Sequence, residues 1–477
     1  MNYSLLTDFY ELSMAYAYYQ EGRAEQIAYF DMFTRNIPDN GGYLVFNGLA
    51  SFIEYYENFS FNEEDLAYLK DVGNFSDDFL DYLRNLKLTL DVWSVPEGTV
   101  VFANEPLVTV SGPLIQCQLI ETMLLLCVNY ESLISTKASR INNAAQGRMV
   151  LEFGARRAQG AWAALKGARA AVIGGCFGTS NTMAAKTYDL NVSGTMAHSY
   201  VQIHKNEYQA FMSYAQQQPD NCTFLIDTYD TLNSGIVNAV KVAQEYLLPN
   251  GYQLKGVRLD SGDLAYLSKK VRIYLDAHGF YDTKIVASNS LNEELIDDLL
   301  TQGAKIDIFG VGEQLITSAS KPVLGGVYKV VAYQENGVVI PTIKLSDTKI
   351  KITNPGHKKL YRFYDNNTNK ALGDVIALAD EVISQDEYEL FDPVDTYKRK
   401  VINNYTLREM QEQVYQQGKL VYRLPSTNDI ITYHQKELET IWDELKRLKF
   451  PHEYYVDLSA ELWVLKEGLI YQNKKFK

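Results

Sequence analysis

Between about residues 149 and 330 the chain repeats one pattern: a short apolar, β-branched run, a turn holding Gly, Ser or Asp, then a helical stretch. Seven runs are expected as strands: Met149–Phe153, Ala171–Gly174, Val192–Met196, Thr223–Ile226, Gly256–Leu259, Lys284–Ala287 and Ile306–Phe309. The helices expected between them are Ala155–Ala170, Thr182–Tyr188, Lys205–Gln217, Leu232–Leu248, Asp263–Ala277 and Glu293–Thr301. Strands that alternate with helices pair in parallel through right-handed crossovers. Runs that are apolar throughout, rather than at every second residue, belong to a sheet covered on both faces. Periodicity does not separate an open doubly wound sheet from a closed barrel. Polar, site-like residues end all seven runs and no single switch point dominates, so an α/β barrel is the expected form.

The flanks are built differently. Helices Leu5–Tyr19, Ala50–Phe59 and Glu63–Asp71 are mixed with strands Ile27–Phe33, Thr99–Phe102 and Leu107–Ser111 before the repeat. After it come strands Tyr328–Tyr333 and Val338–Lys344, the turn Thr353-Asn-Pro-Gly356, and a terminal helix near Gln435–Lys449. The expected layout is an N-terminal α/β lobe over residues 1–125 and a catalytic barrel over 126–332. A C-terminal lobe over 333–477 partly completes the first.

The whole chain carries a net charge of −14, which would repel a polyphosphate backbone, so no nucleic-acid partner is expected. Its four cysteines, at 117, 127, 176 and 222, have no C-x-x-C spacing and read as reduced, buried thiols. The N-terminus lacks a basic leader, and the apolar stretch Leu114–Tyr130 is broken by Gln116, Gln118 and Glu121. A soluble, cytoplasmic protein without a membrane partner is expected. One segment opposes the overall charge. Lys137, Arg140, Arg148, Arg156, Arg157, Lys166, Arg169 and Lys186 face a single acid, Glu152, which makes the segment net +7. It is either a set of solvated helix faces or a pocket for anions, and charge alone does not choose.

Active sites of barrel proteins form at the carboxyl ends of the strands. Here those ends read Phe153-Gly-Ala-Arg156-Arg157, Gly178-Thr-Ser180-Asn181, Gly194-Thr-Met-Ala-His198, Asp227-Thr-Tyr-Asp230, Arg258-Leu-Asp260-Ser-Gly-Asp263, Ser288-Asn289 and Gly310-Val-Gly312-Glu313. Singly each motif is weak. Gly310-x-Gly312 could cradle a phosphate on backbone N–H groups, although a tight strand-to-helix turn is the plainer reading. Asp260 and Asp263 could bind ribose hydroxyls or magnesium, or Asp263 could cap a helix. Together they describe a barrel enzyme for phosphorylated, anionic small molecules. No G-x-x-x-x-G-K-[ST] is present, so any use of ATP does without that loop. Nor is there an H-E-x-x-H or similar cluster, and no dedicated metal centre is expected.

Leu6-Thr-Asp8-Phe-Tyr10-Glu-Leu12, Phe153-Gly-Ala-Arg-Arg-Ala-Gln-Gly160, Gly194-Thr-Met-Ala-His-Ser199, Arg258-Leu-Asp-Ser-Gly-Asp263 and Leu324-Gly-Gly-Val-Tyr-Lys329 follow in order. With Lys351-Ile-Thr-Asn-Pro-Gly-His-Lys-Lys359 they make the chain resemble the nicotinate phosphoribosyltransferases. The resemblance implies an incomplete, seven-stranded α/β barrel with flanking lobes, and a homodimer with shared active sites. It implies that nicotinate, phosphoribosyl pyrophosphate, ATP and water give nicotinate mononucleotide, pyrophosphate, ADP and phosphate, with Mg²⁺ accompanying the polyphosphates. It also assigns roles. Tyr10, from the partner subunit, and Phe153 sandwich the pyridine ring, and Arg258 meets the carboxylate. Asp260 holds the ribose hydroxyls. Arg140, Arg156 and Lys186 face pyrophosphate, and Gly310 and Gly312 face the 5′-phosphate. His198 matches the histidine that ATP phosphorylates. Ser180 stands where related nicotinamide enzymes carry an aspartate, and a serine can donate to a carboxylate that an aspartate would repel. The alternatives are a nicotinamide or quinolinate phosphoribosyltransferase of the same fold, or a non-catalytic pyridine-nucleotide-binding protein. Two turns depart from the family pattern: Asn289-Ser-Leu-Asn-Glu293, which is less acidic, and Gly312-Glu313, which puts a carboxylate beside an expected phosphate.

Overall fold

A computed structural model of the chain describes residues 3–346 and 352–474; Lys351 of the last motif lies outside them. The chain divides into two compact units, one running from Ile134 to Pro322 and one made of both chain ends, up to Leu133 and from Val323 onward.

The continuous unit is a mixed α/β fold around a parallel sheet. Its strands are β1 (Met149–Glu152), β2 (Gly178–Thr179), β3 (Thr223–Leu225), β4 (Gly256–Leu259), β5 (Lys284–Ala287) and β6 (Ile308–Val311). They lie in the order β2-β1-β6-β5-β4-β3, and every neighbouring pair is parallel. The first strand therefore pairs with the last. Val150, Phe224, Val257, Leu259, Ile285, Phe309 and Val311 are fully buried, as the continuous apolar runs require. Helices Thr182–Tyr188 and Glu293–Thr301 have the expected bounds.

Two expected strands differ. Ala171–Gly174 is the end of helix Ala161–Ile173, whose residues from Lys166 to Ile173 are all buried. A helix covered on every side shows the same unbroken apolar run as a buried strand. The strand proper is Gly178–Thr179, with no apolar signature. Val192–Met196 contributes only a single parallel bridge, Thr179 to Val192.

The two chain ends make one unit. Its seven-stranded sheet runs Val338–Pro341, Val327–Glu335, Ile27–Phe33, Val108–Pro113, Asp91–Ser94, Glu412–Gln416 and Lys419–Leu420. Ile27–Phe33 is thus flanked by one strand from each end of the chain, both antiparallel to it. A second sheet, Tyr405–Glu409, Lys358–Asp365, Ala371–Leu378 and Val456–Leu458, encloses Arg362, which is fully buried and donates to Asp374 through Nε and Nη2 at 2.8 and 2.7 Å. The expected terminal helix is replaced by two, Thr427–Thr440 and Ala460–Lys474. Among the described residues one stretch, Leu114–Ala144, is long and apolar enough to cross a membrane; 67% of its most apolar window is buried inside the protein, as in a core helix.

Candidate functional site

The carboxyl ends of β3, β4 and β5 bring five polar side chains together. Arg258, next to last in β4, points its Nε at Ser288 Oγ (2.9 Å) and its Nη2 at Asp260 Oδ1 (3.1 Å). Ser288 also donates to Asp260 Oδ1. Asp227, just past β3, is buried to 2% side-chain exposure. Its Oδ2 accepts from the Asp260 backbone N–H (2.8 Å) and Ser261 Oγ (2.6 Å), while its Oδ1 is buried without a hydrogen-bond partner. His198 opens the short helix His198–Gln202. Its Nδ1 lies 3.1 Å from Thr228 Oγ1, and its Nε2 lies 3.7 Å from Asp260 Oδ2 and 4.0 Å from Asp227 Oδ1. Those last separations exceed hydrogen-bond reach, so Nε2 sees the charge of two carboxylates while remaining open to a reacting group.

An aromatic wall adjoins this cluster. The Arg258 guanidinium stands 5.7 Å from the centroid of the Phe153 ring, inside the range of a cation–π contact. Gly310 makes room for that ring: a Cβ there would meet Phe153 Cδ2 and Cε2 at 2.6 Å. Glu152, one residue earlier and fully buried, accepts from the Gly154 N–H and from Thr179 Oγ1 (2.5 Å). Burial without a cationic partner raises its carboxyl above the usual range.

The basic segment does not gather into one patch. Lys137 Nζ and Arg140 Nε are buried on one oxygen of Glu293, at 2.8 and 3.1 Å. Arg148 donates to the Ile306 carbonyl (3.0 Å), and Lys166 and Arg169 lie over the Tyr188 ring. Arg157 pairs with Glu313 at 3.4 Å, which answers the carboxylate expected beside a phosphate. Arg156 and Lys186 are exposed.

Residues 5–129 match the model of the nicotinate phosphoribosyltransferase (NAPRTase) N-terminal domain, 149–377 that of the NAPRTase family, and 357–466 that of the C-terminal domain. A nicotinate phosphoribosyltransferase of Bacillus subtilis (strain 168) is 47% identical over 472 residues, covering 99% of this chain and 96% of that protein. The chain belongs to the nicotinate phosphoribosyltransferase family. A Caenorhabditis elegans nicotinate phosphoribosyltransferase is 36% identical, with 98% of this chain and 93% of that one covered. The crystal structure of human nicotinic acid phosphoribosyltransferase superposes with a TM-score of 0.86 at 29% identity, covering 97% and 99%.

Of the residues the family resemblance singles out, Arg258 and Asp260 are hydrogen-bonded to each other, His198 stands 3.7 Å from Asp260 without a hydrogen bond to it, and Phe153 borders them through Arg258. Ser180 is exposed at the end of β2, its N–H on the Glu152 carbonyl at 2.9 Å. Tyr10 belongs to the other unit, where it is 46% exposed on helix Phe9–Gln20. Arg140 is a buried ion-pair partner of Glu293, and Gly310 lies against the Phe153 ring. Gly312 precedes a helix of four residues. Asp263 caps helix Leu264–Ala277 through the Tyr266 N–H (2.9 Å), the plainer of its two readings. Asp227, Thr228, Ser288 and Glu152 take no part in the roles read from sequence, although the first three stand on the rim. Apart from the Gly154 N–H on Glu152, their partners lie about thirty residues away in the chain, and only the fold supplies them.

Proposed function

We propose that the chain transfers the phosphoribosyl group of phosphoribosyl pyrophosphate to nicotinate, forming nicotinate mononucleotide and pyrophosphate in NAD salvage. The observation that carries this reading is the Arg258–Ser288–Asp260–His198–Asp227 cluster beside the Phe153 ring, within a chain of this family. Departure of pyrophosphate leaves an oxocarbenium-like sugar carbon, and the pyridine nitrogen attacks its opposite face. The protein's work is then to position the partners and balance charge. Arg258 offers its guanidinium to the nicotinate carboxylate, Phe153 stacks on the ring, and Asp260 receives the ribose hydroxyls. Ser180 favours a carboxylate over a carboxamide. Tyr10, exposed here, closes the acceptor site from a partner subunit in a homodimer.

His198 takes the terminal phosphoryl group of ATP with release of ADP, and water later cleaves the phosphohistidine to give phosphate. The open Nε2, with Nδ1 engaged by Thr228, supports that role. Mg²⁺ neutralises the polyphosphates when bound. The unpartnered Asp227 Oδ1 and the neighbouring Asp260 carboxylate fit such an oxygen-seeking ion, and no group of three or more His, Cys, Asp or Glu among the described residues forms a dedicated cage. Arg156 and Lys186, two exposed cations of the segment, meet pyrophosphate. The pairing of β1 with β6, with the Val192 bridge beyond β2 and β3 at the other edge, supports an incomplete barrel of seven positions with the chain ends as lobes. The protein works in the cytoplasm.

A steady-state comparison of nicotinate, nicotinamide and quinolinate, following pyrophosphate release, tests the reading. Nicotinate should be used with the highest kcat/KM. Preference for nicotinamide overturns the acceptor assignment, and ligand binding with no pyrophosphate released from phosphoribosyl pyrophosphate in the presence of any of the three acceptors overturns the enzyme.

A further inference from the structure

Glu152 is a buried carboxyl to which the reaction assigns no role. It ends β1 directly before Phe153. Through its two carboxylate oxygens and its carbonyl it holds three groups on two separate turns: the Gly154 N–H, the Thr179 hydroxyl (2.5 Å) and the Ser180 N–H (2.9 Å). Thr179 Oγ1 in turn accepts from the Asn181 N–H at 2.9 Å, so the chain of hydrogen bonds runs on into the N-cap of helix Thr182–Tyr188. The turn after β1 carries the stacking ring. The turn after β2 carries Ser180.

We infer that Glu152 is a positioning residue that fixes the spacing between the Phe153 ring and Ser180 and so sets how the acceptor is held. This rests on the reading of Phe153 and Ser180 as acceptor-site residues. A carboxyl is suited to the task, because one group spans two turns with two acceptor atoms, and a backbone N–H and a hydroxyl both need an acceptor when buried. No cation pairs with it among the described residues, so its worth lies in directed hydrogen bonds rather than in charge. A glutamine side chain still presents one acceptor oxygen in the same place.

The test uses the full-length protein and the variants Glu152→Gln, Glu152→Ala and Thr179→Val, with KM for nicotinate, KM for phosphoribosyl pyrophosphate and kcat measured for each. Glu152→Ala should raise KM for nicotinate about tenfold or more, since displacements near 1 Å have effects of that order. Its KM for phosphoribosyl pyrophosphate should stay within about twofold. Glu152→Gln should recover most of the loss. Thr179→Val removes the same link without emptying the buried site, so it should shift the nicotinate KM even if the alanine variant does not fold. Equal changes toward both substrates, or a glutamine variant no better than alanine, would overturn the inference. So would a Thr179→Val enzyme with wild-type nicotinate KM. Wild-type enzyme inactive with nicotinate would instead count against the underlying reading.

Discussion

Replacing Gly310 with alanine separates two roles for the Gly310-x-Gly312 turn. A Cβ at residue 310 would sit 2.6 Å from two carbons of the Phe153 ring, where ordinary contact begins near 3.4 Å. The ring must therefore retreat by roughly 1 Å, because β6 is tied to its neighbours on both sides. Overpacking of this kind costs about 1–3 kcal/mol of stability. Displacing a stacking group by about 1 Å costs up to about 10²-fold in productive binding. We expect Gly310→Ala to lower the melting temperature by a few degrees, on the order expected for such a loss, and to raise KM for nicotinate with little change in KM for phosphoribosyl pyrophosphate. Initial-rate kinetics with each substrate varied in turn reads both constants. A raised KM for phosphoribosyl pyrophosphate with an unchanged nicotinate KM would refute the packing argument and restore Gly310 as a phosphate cradle.

Other substitutions probe the cluster and the second unit. His198→Ala should abolish acceptor-stimulated ATP hydrolysis while slow ATP-independent transfer survives; radiolabelled ATP followed into protein and phosphate checks it, and undiminished hydrolysis removes His198 from the mechanism. Arg258→Ala should cost about 2–5 kcal/mol in nicotinate binding, read by calorimetry, with Asp260 and Ser288 losing their shared partner. Glu11 is fully buried, accepts from Thr7 and Thr122, and has its carboxyl pushed up to about 7, chiefly by burial. A carboxyl that binds its proton more tightly when folded costs stability as pH rises from its unfolded value of 4.5 through about 7. Glu11→Gln should accordingly raise the melting temperature at pH 8 and lose that advantage at pH 4.5; an equal effect at both values would refute it.

Much of the continuous unit is legible because its elements are locally encoded. Gly256–Leu259 and Lys284–Ala287 are apolar runs ended by polar turns, and Asn292 and Asp263 cap the helices that follow. The exceptions are physical. Ala171–Gly174 reads as a strand because a helix buried all round loses its period, and Gly178–Thr179 is too short to have one. In the other unit the strand Lys358–Asp365 hides behind two charges, Lys358 and Arg362, which are buried because Asp31 and Asp374 meet them (2.9 and 2.7 Å). Sequence names residues but not partners: it sets Arg258 and Asp260 two positions apart, while Ser288 and Asp227, about thirty residues to either side, are brought to them by the parallel register of β3, β4 and β5. The same limit hid the fate of Arg140, because Glu293 is 153 residues away.

The pairing of first strand with last also has a timetable. Met149 and Ile308 are partners separated by 159 residues, so at ordinary synthesis rates β1 waits roughly 8–30 s for β6 to leave the ribosome. Ile27–Phe33 waits about twice as long for Val327–Glu335. Until then each is an open sheet margin able to pair with the wrong chain. Nascent chains stalled before Ile308 should thus be open to proteases at both sites and dependent on chaperones, and release of a few dozen further residues should close the two margins one after the other.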